Sequence, residues 1–200
     1  MIRIVERVAC VAGIGLLLGY GAARADGEIG RRVEVSRFDA AAVANRTEWS
    51  PARLHAYEMS LSVATGPVLA VLRIPSVNLE VPVYADTSEL HLNRGVGLIE
   101  HTAAPDDGGN LGIAGHRDGF FRVLGRVQAG DRIEVRTLER RYVYRVAFIS
   151  LASSSDARLL AQTDESVVTL VTCYPFYFVG HAPQRFVVRG ALVSSEPRDS

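Results

Sequence analysis

Residues 166–190 read SVVTLVTCYPFYFVGHAPQRFVVRG. The β-branched run Val167–Thr172 predicts a strand, and a proline just beyond it ends ladder pairing because proline has no N–H to donate. A loop rich in aromatic residues comes next, and Arg185–Arg189 is predicted to form a second strand. The pattern therefore places Cys173 at the end of one strand and Arg185 at the start of the next.

The sequence upstream of this stretch consists of short apolar runs separated by turn residues. The predicted strands are Val68–Ile74, Leu79–Tyr84, Gly95–Ile99, Asn110–His116, Asp131–Leu138 and Tyr142–Leu151. A single helical turn is predicted at Asp86–Asn93, a short helix or 3₁₀ turn at Gly119–Val127, and a short helix at Ser155–Gln162. Strands at this spacing predict a mainly β fold, either a closed or nearly closed barrel or, as the alternative, a sandwich.

Composition limits the classes of function. The chain has 200 residues, 48% of them hydrophobic, which suits one domain with a proper core and a short appendage. Arginine supplies all 22 basic residues, and 22 acidic residues balance them. This balance lacks the basic excess typical of nucleic-acid binding. The absence of lysine excludes Schiff-base chemistry on the chain and a P-loop.

Residues 1–25 have the pattern of a targeting segment. Arg3 and Arg7 precede an uncharged run over Val8–Ala23, and Ala23–Ala25 resembles a signal-peptide cleavage site. A membrane span needs about 20 apolar residues. Since the run is shorter, a cleaved signal peptide and a retained membrane anchor both stay open. In either case we expect the rest of the chain to be exported.

Residues 26–66 are predicted to form a stalk that ends in a helix, and residues 67–195 are predicted to form the barrel domain. The helix is expected to start at Pro51 with Ser50 as its N-cap. The side chains expected to form its apolar stripe are Trp49, Leu54, Tyr57 and Leu61.

Export makes the cysteine count informative. The chain has two cysteines, and Cys10 lies inside the leader. Cys173 therefore has no partner for an internal disulfide in the exported domain. A leftover cysteine in an exported protein is either a reactive thiol or a small buried core residue.

The second notable stretch is NLGIAGHRD, residues 110–118. Side chains alternate along a strand, so Gly112, Ala114 and His116 are expected to share one face. That face carries no bulky group beside the imidazole. It leaves room for an extended peptide, or it simply lets another part of the protein approach closely.

Cysteine, histidine and arginine together are sufficient for acyl transfer. An ordinary thiol is only about 3% thiolate at neutral pH, so a nucleophilic thiol needs help from an imidazole and a nearby cation. A guanidinium also stabilises the oxyanion that develops when the sulfur attacks an amide. Zinc binding is disfavoured because the histidines have no ligand-like spacing, and dithiol redox chemistry lacks its second thiol. In papain-type proteases the catalytic cysteine precedes the histidine, whereas here His116 precedes Cys173.

The segments GNLGIAGHRDGFF, TLVTCYPFYFVG and APQRFVVRG strongly resemble those of the sortases, and class D most. The resemblance covers about Val68–Val193 and implies an eight-stranded β-barrel. It implies that Cys173 is the nucleophile, which attacks the Thr carbonyl of an LPxTG-like sorting motif. It also implies that His116 is the general acid and later the base, and that Arg185 binds the substrate backbone and steadies the oxyanion.

Further positions are assigned by the same resemblance. Ala114 and Thr172 fall where family members line the peptide groove. His101 departs from the family, which usually has Gly before Thr-Ala, and is either a neutral surface change or a modifier of the groove entrance. Asp106 and Asp107 are compatible with calcium, which some sortases use, but we expect no required metal and no cofactor.

The expected partners follow from the family. They are surface proteins with a C-terminal sorting signal, an amine acceptor of the cell envelope and the membrane through the N-terminal segment. The domain is expected on the outer side of the cell membrane. Two alternatives remain: a catalytically idle barrel that binds peptides, and a sortase-like thiol hydrolase.

Overall fold

The computed structural model describes residue 46 and residues 48–177 and 182–197. These residues belong to one compact unit, Ala41–Ser200. The predicted targeting segment (residues 1–25) and most of the predicted stalk lie outside the described residues, as do residues 178–181 of the aromatic loop. Within the described ranges, every helix is too short or too polar to span a bilayer.

The fold is a closed β-barrel of eight strands. The strands are β1 (Ala70–Ile74), β2 (Leu79–Tyr84), β3 (Val96–Leu98), β4 (Asn110–Ala114), β5 (Arg132–Arg136), β6 (Arg140–Ser153), β7 (Val167–Tyr174) and β8 (Gln184–Pro197). Their order around the barrel is β1-β2-β3-β4-β7-β8-β6-β5, and β5 pairs with β1 to close it. The prediction of a mainly β barrel is confirmed, and closure rules out the sandwich.

Two of the eight strand pairings are parallel, β2 with β3 and β4 with β7. The pairing of β4 with β7 positions the site, because parallel neighbours have their carboxyl ends at the same edge of the sheet. β8 runs antiparallel to β7, so β8 begins where β7 ends. The three strand ends therefore meet at one end of the barrel.

In the described ranges the helices are short and lie outside the ladder of strands. They are α1 (Pro51–Leu61), α2 (Glu89–Arg94) and three 3₁₀ helices, Pro75–Val77, Phe120–Arg126 and Ala157–Leu160. Ser50 caps α1 as predicted, since its hydroxyl accepts a hydrogen bond from the backbone N–H of Arg53.

The predicted apolar stripe of α1 is only partly buried. Trp49 and Tyr57 are buried, and the Trp49 ring meets Phe120 edge to face, with centroids 4.8 Å apart. Leu61, however, is 46% exposed, so it is not part of the stripe. It is the last residue of the helix, where fewer neighbours remain to cover it.

The inner faces of the strands form the core. Leu111 and Ile113 of β4, Val168 and Leu170 of β7, and Val188 of β8 all belong to it. Alternation along each strand explains why the residues between them face outward. Aromatic side chains from the 3₁₀ helix Phe120–Arg126 complete the core at the end of the barrel where the site lies.

Candidate active site

Strand pairing sets the positions of Cys173 and Arg185. The two residues are direct partners in the antiparallel register of β7 and β8. Residues opposite each other in such a pair point to the same face of the sheet, with Cβ atoms about 5 Å apart. The backbone ladder itself therefore brings the thiol and the guanidinium together.

His116 leaves the barrel wall beside Cys173. Ala114 is paired with Val171, and the next N–H along, that of Gly115, donates to the carbonyl of Val171 at 3.2 Å. His116 and Cys173 each lie two residues beyond this pair. The two chains still run side by side at that point, which places the imidazole and the sulfur at the same end of neighbouring strands.

The three residues share the outer face of the wall. Leu111 and Ile113 fill the core, so residues 112 and 114 alternate outward, and the half-buried His116 follows just beyond the end of β4. By the same alternation Val168 and Leu170 place Cys173 outside, and Val188 places Arg185 outside. The structure therefore brings Cys173, His116 and Arg185 together, on the outer surface at one end of the barrel and not inside its mouth.

The outer face is open only near this end. Ala114, Val171, Cys173 and Arg185 are half-buried and form a continuous strip, which we call the open strip. Toward the other end the β3–β4 loop and the connection between β6 and β7 cover the wall. A Cβ added to Gly112 would lie 2.8 Å from Thr102 and 3.2 Å from Leu160. The space left by the absent side chain of Gly112 is thus filled by Thr102 and Leu160, whereas Ala114 stays accessible.

Thr172 has a different position from the one expected. It points inward, because it alternates with Cys173, and only 2% of it is exposed. Its hydroxyl donates to the carbonyl of Gly115 at 2.7 Å. Thr172 therefore does not line the open strip. Its contact ties β7 to the segment that carries His116.

The two arginines of β8 differ in their contacts. One guanidinium nitrogen of Arg185 donates to the carbonyls of Ala182 and Gln184, at 3.3 and 3.2 Å. Arg189 bonds within the protein: its Nε donates to Thr169 Oγ1 at 3.1 Å and its Nη2 to the Leu159 carbonyl at 2.8 Å. Arg189 fastens the β6–β7 connection to the wall, and Arg185 lies at the open strip.

Charged groups surround His116. Its Nε2 lies 3.3 Å from a carboxylate oxygen of Glu89, the first residue of α2. This is an electrostatic contact, because its direction does not meet hydrogen-bond geometry. Burial lowers the pKa of His116, and the positive charge of Arg53 lowers it further. Glu89 and Asp118 act in the opposite direction.

The aromatic loop is anchored where it leaves β7. The guanidinium of Arg117 donates to the carbonyl of Pro175 at 3.1 Å. Phe176 lies against Phe186, with ring centroids 5.1 Å apart, and the Arg122 guanidinium lies 4.7 Å from the centre of the Tyr177 ring. These contacts fix the start of the loop next to Cys173.

Comparisons with known proteins agree with this geometry. A family model for the sortase domain matches residues 72–193. The chain belongs to the sortase family. Sortase D of Bacillus subtilis is 31% identical over 136 residues, which make up 68% of this chain and 69% of that protein. Sortase SrtE1 of Streptomyces coelicolor is 31% identical over 158 residues, but the match spans only 44% of that longer protein.

Solved sortase structures have the same fold. The crystal structure of sortase E1 from Streptomyces coelicolor with a tripeptide in the active site matches with a TM-score of 0.58 at 30% identity, over 66% of this chain and 91% of that chain. Sortase A of Listeria monocytogenes matches with a TM-score of 0.61 at 25% identity, over 66% of this chain and 91% of that one. The sequence-based assignment to the sortases is thereby confirmed.

Two features of this sortase's β3–β4 loop concern the remaining expectations. His101 is exposed and has a left-handed backbone, with φ at 62°. Such a backbone favours glycine, the residue that the family usually has there. Asp106 is not simply solvated, because it accepts a hydrogen bond from the Tyr142 hydroxyl at 2.6 Å. Among the described residues, no cluster of three or more histidine, cysteine or acidic side chains could hold a metal ion.

Sequence reasoning missed the side chains that surround His116. Arg53 and Glu89 come from two helices far from His116 in sequence, and no local pattern connects them to it. Asp118 lies two residues from His116, but its ion pair with Arg53 forms only through tertiary packing. His91 was also overlooked; it stacks on Tyr84 and contacts Asp86 at 2.7 Å.

Proposed function

We propose that this sortase is a cysteine transpeptidase that cleaves an LPxTG-like sorting motif and transfers the acyl fragment to an amine. The observation that supports it most is the meeting of Cys173, His116 and Arg185 on one half-exposed outer surface. Family membership supports an enzyme of this class. The LPxTG-like motif and the amine acceptor are inferred from the resemblance of the sequence to the sortases.

In the first half of the reaction Cys173 acts as the nucleophile. Its thiolate sulfur, whose proton is held by His116 as an imidazolium, forms a bond to the carbonyl carbon of the motif's threonine, and the C–N bond to the next residue breaks. His116 gives its proton to the departing amine. The products are a thioester on Cys173 and a free amine at the start of the released fragment.

In the second half an acceptor amine attacks the thioester carbon. His116 takes a proton from this amine, the C–S bond breaks, and a new amide forms. Arg185 is close enough to the sulfur, as its partner across the ladder, to donate to the carbonyl oxygen when that oxygen becomes negative. If water attacks instead, the same residues give hydrolysis.

The open strip is suited to an extended peptide. Ala114 and Val171 are small or medium-sized apolar residues next to Cys173, and both are half-buried. A peptide that lies along them would reach the sulfur without displacing a bulky side chain. In this proposal Ala114 contacts the substrate, whereas the buried Thr172 holds the segment that carries His116 through its hydrogen bond to Gly115.

The proposal also covers location. The catalytic domain would lie on the outer side of the cell membrane, held by residues 1–25 or released after their cleavage. There it would meet surface proteins that carry a C-terminal sorting signal and the amine groups of the cell envelope. No cofactor takes part in the proposed chemistry.

Substitution of the thiol tests the proposal. The full chain is incubated with a fluorescence-quenched LPxTG-like peptide and a short glycine peptide as acceptor. Cys173→Ala should abolish both cleavage and the joined product. Cys10→Ala, which removes the other cysteine, should leave both unchanged. Mass spectrometry of the wild type should detect a peptide bound to Cys173.

Different outcomes identify different functions. Cleavage by Cys173→Ala at the wild-type rate would contradict the proposal. Peptide binding with no cleavage, together with slow alkylation of Cys173 that does not depend on His116, would identify an idle binding barrel. Cleavage without a joined product, across a panel of amine acceptors, would identify a hydrolase.

A further inference from the structure

Arg53 joins three separate parts of the protein. It lies on α1, outside the barrel, yet only 15% of its side chain is exposed. Its Nη1 donates to Asn93 of α2 at 2.5 Å, and its Nη2 donates to Asp118 at 3.0 Å. Asp118 belongs to the turn that carries His116. The guanidinium therefore bridges α2 and this turn with its two ends.

The turn is short and tightly packed. It runs from Gly115 to Gly119, and the N–H of Gly119 donates back to the His116 carbonyl at 3.1 Å. A Cβ at Gly119 would lie 3.4 Å from the His116 Cβ and 3.8 Å from the Arg53 Cδ. The aliphatic part of Arg53 thus lies against the backbone of the turn next to His116. We expect a substitution of Arg53 to shift this backbone.

The charges that face His116 come from three elements. Arg53 of α1 is positive, whereas Glu89 of α2 and Asp118 of the turn are negative. Cys173 and Arg185 lie on β7 and β8 at the same end of the barrel. Glu89 is 79% exposed, so water screens much of its charge. Arg53 is shielded from water, and its charge acts on the imidazole more strongly.

We propose that Arg53 is a positioning residue for His116: it joins the turn that carries His116 to α2 and places a fixed positive charge beside the imidazole. This inference rests on the proposed function of His116 as the proton-transfer residue. It adds that the catalytic site of this chain is completed by a helix that precedes the barrel. A general acid–base group works best when it can both hold and release its proton at the working pH. Burial, and after it Arg53, favour the neutral imidazole, whereas the nearby carboxylates favour the imidazolium, so His116 is placed to both accept and release a proton.

Titration of His116 tests the charge without any need for activity. The pH dependence of the His116 ring signal is followed by NMR in the full chain, with His116→Gln to assign the signal. Arg53→Gln should raise the pKa of His116, because the opposing positive charge is gone. Glu89→Gln and Asp118→Asn should lower it, since each removes a negative charge. Arg53→Lys keeps the charge and should stay near the wild type.

A surface ion pair supplies the matched control. Arg158 pairs with Asp156, and its side chain is 91% exposed. Arg158→Gln removes the same charge as Arg53→Gln but should leave the His116 titration and the peptide-joining rate unchanged. Urea unfolding of every variant separates a local effect on His116 from a general loss of stability.

Rates test the positioning. Arg53→Gln should lower kcat more than it raises KM and reduce kcat/KM by about 10- to 100-fold, the size expected when a reacting group is displaced by up to about 1 Å. The basic limb of its kcat/KM–pH profile for peptide cleavage, where His116 loses the proton that it gives to the departing amine, should move to higher pH. Arg53→Lys should restore the limb but only part of the rate, because an ammonium cannot bridge Asn93 and Asp118 as the planar guanidinium does.

An unchanged His116 titration in Arg53→Gln would overturn the inference, as would opposite shifts in the two carboxylate variants. If Arg53→Gln does not fold, Arg53→Lys carries the test of positioning: a kcat equal to that of the wild type would show that the guanidinium bridge to Asn93 and Asp118 does not position His116. Failure of the proposed function would be seen in a different experiment, as cleavage that persists in Cys173→Ala. The His116 titration tests the role of Arg53 independently of that result.

Discussion

The two sides of the candidate site are held in place by different means. On one side Cys173 and Arg185 are partners in a backbone ladder between two long strands. On the other side His116 lies in a turn beyond the end of β4, held mostly by side chains from α1, α2 and β7. The ladder leaves little freedom to the nucleophile and the cation, whereas single substitutions can adjust the imidazole. The barrel strands therefore determine the positions of the nucleophile and the cation, whereas side-chain contacts, mostly from helices outside the barrel, determine the position of the imidazole.

The largest expected effect is on the ladder side. Arg185→Lys should reduce kcat/KM by about 10²- to 10³-fold, because the planar donor to the developing oxyanion is lost. Its free energy of unfolding should change by less than about 0.5 kcal/mol, since the hydrogen bonds of Arg185 within the described part of the chain go to the backbone carbonyls of Ala182 and Gln184. Peptide cleavage and urea unfolding measure the two quantities.

Arg189→Lys is the matched control on the same strand and face. It loses the paired bonds to Thr169 and to the Leu159 carbonyl, so it should cost about 1–3 kcal/mol of stability. The folded protein should keep its activity. Equal losses of activity in both variants would show that the ladder, and not the guanidinium of Arg185, supports the reaction.

A smaller effect is expected where the two sides meet. Thr172→Val should destabilise the protein by about 1–3 kcal/mol, because the Gly115 carbonyl loses its buried donor. The His116 turn would also loosen, so kcat should fall. Thr172→Ser keeps the hydroxyl and should preserve most of the rate, although the lost methyl costs some stability. A valine variant as active and stable as the wild type would show that this bond does not link the two sides.

The contrast also explains what the sequence could predict. β2 has the predicted bounds, and Cys173 and Arg185 were placed at facing strand ends, because a short connection between adjacent strands leaves few other arrangements. The predicted Arg185–Arg189 strand was too short. β8 continues to Pro197, since its polar outer end still pairs with β6.

The side of His116 was much less predictable. The end of the β4 strand predicts that a turn begins near His116. The ion pair of Arg53 with Asp118, however, joins residues 65 positions apart, and no local pattern predicts it. Thr172 was assigned to the groove by position in a motif, although alternation from Cys173 already places it on the inner face. The resemblance to the sortases identifies His116 and Thr172 as site residues, but only the tertiary packing shows what each of them contacts.

The smallest expected effect comes from a residue that touches neither side of the site. His101 has a left-handed backbone, which costs a residue with a side chain about 1–2 kcal/mol, whereas glycine adopts it freely but loses more chain entropy on folding, about 0.4–1 kcal/mol. His101→Gly should therefore raise the free energy of unfolding by about 0–1.6 kcal/mol. It keeps the bond from Gln162 to the backbone carbonyl of residue 101. The rate of peptide joining should be unchanged if His101 is a neutral surface change; a changed KM with an unchanged kcat would instead make it part of the groove entrance.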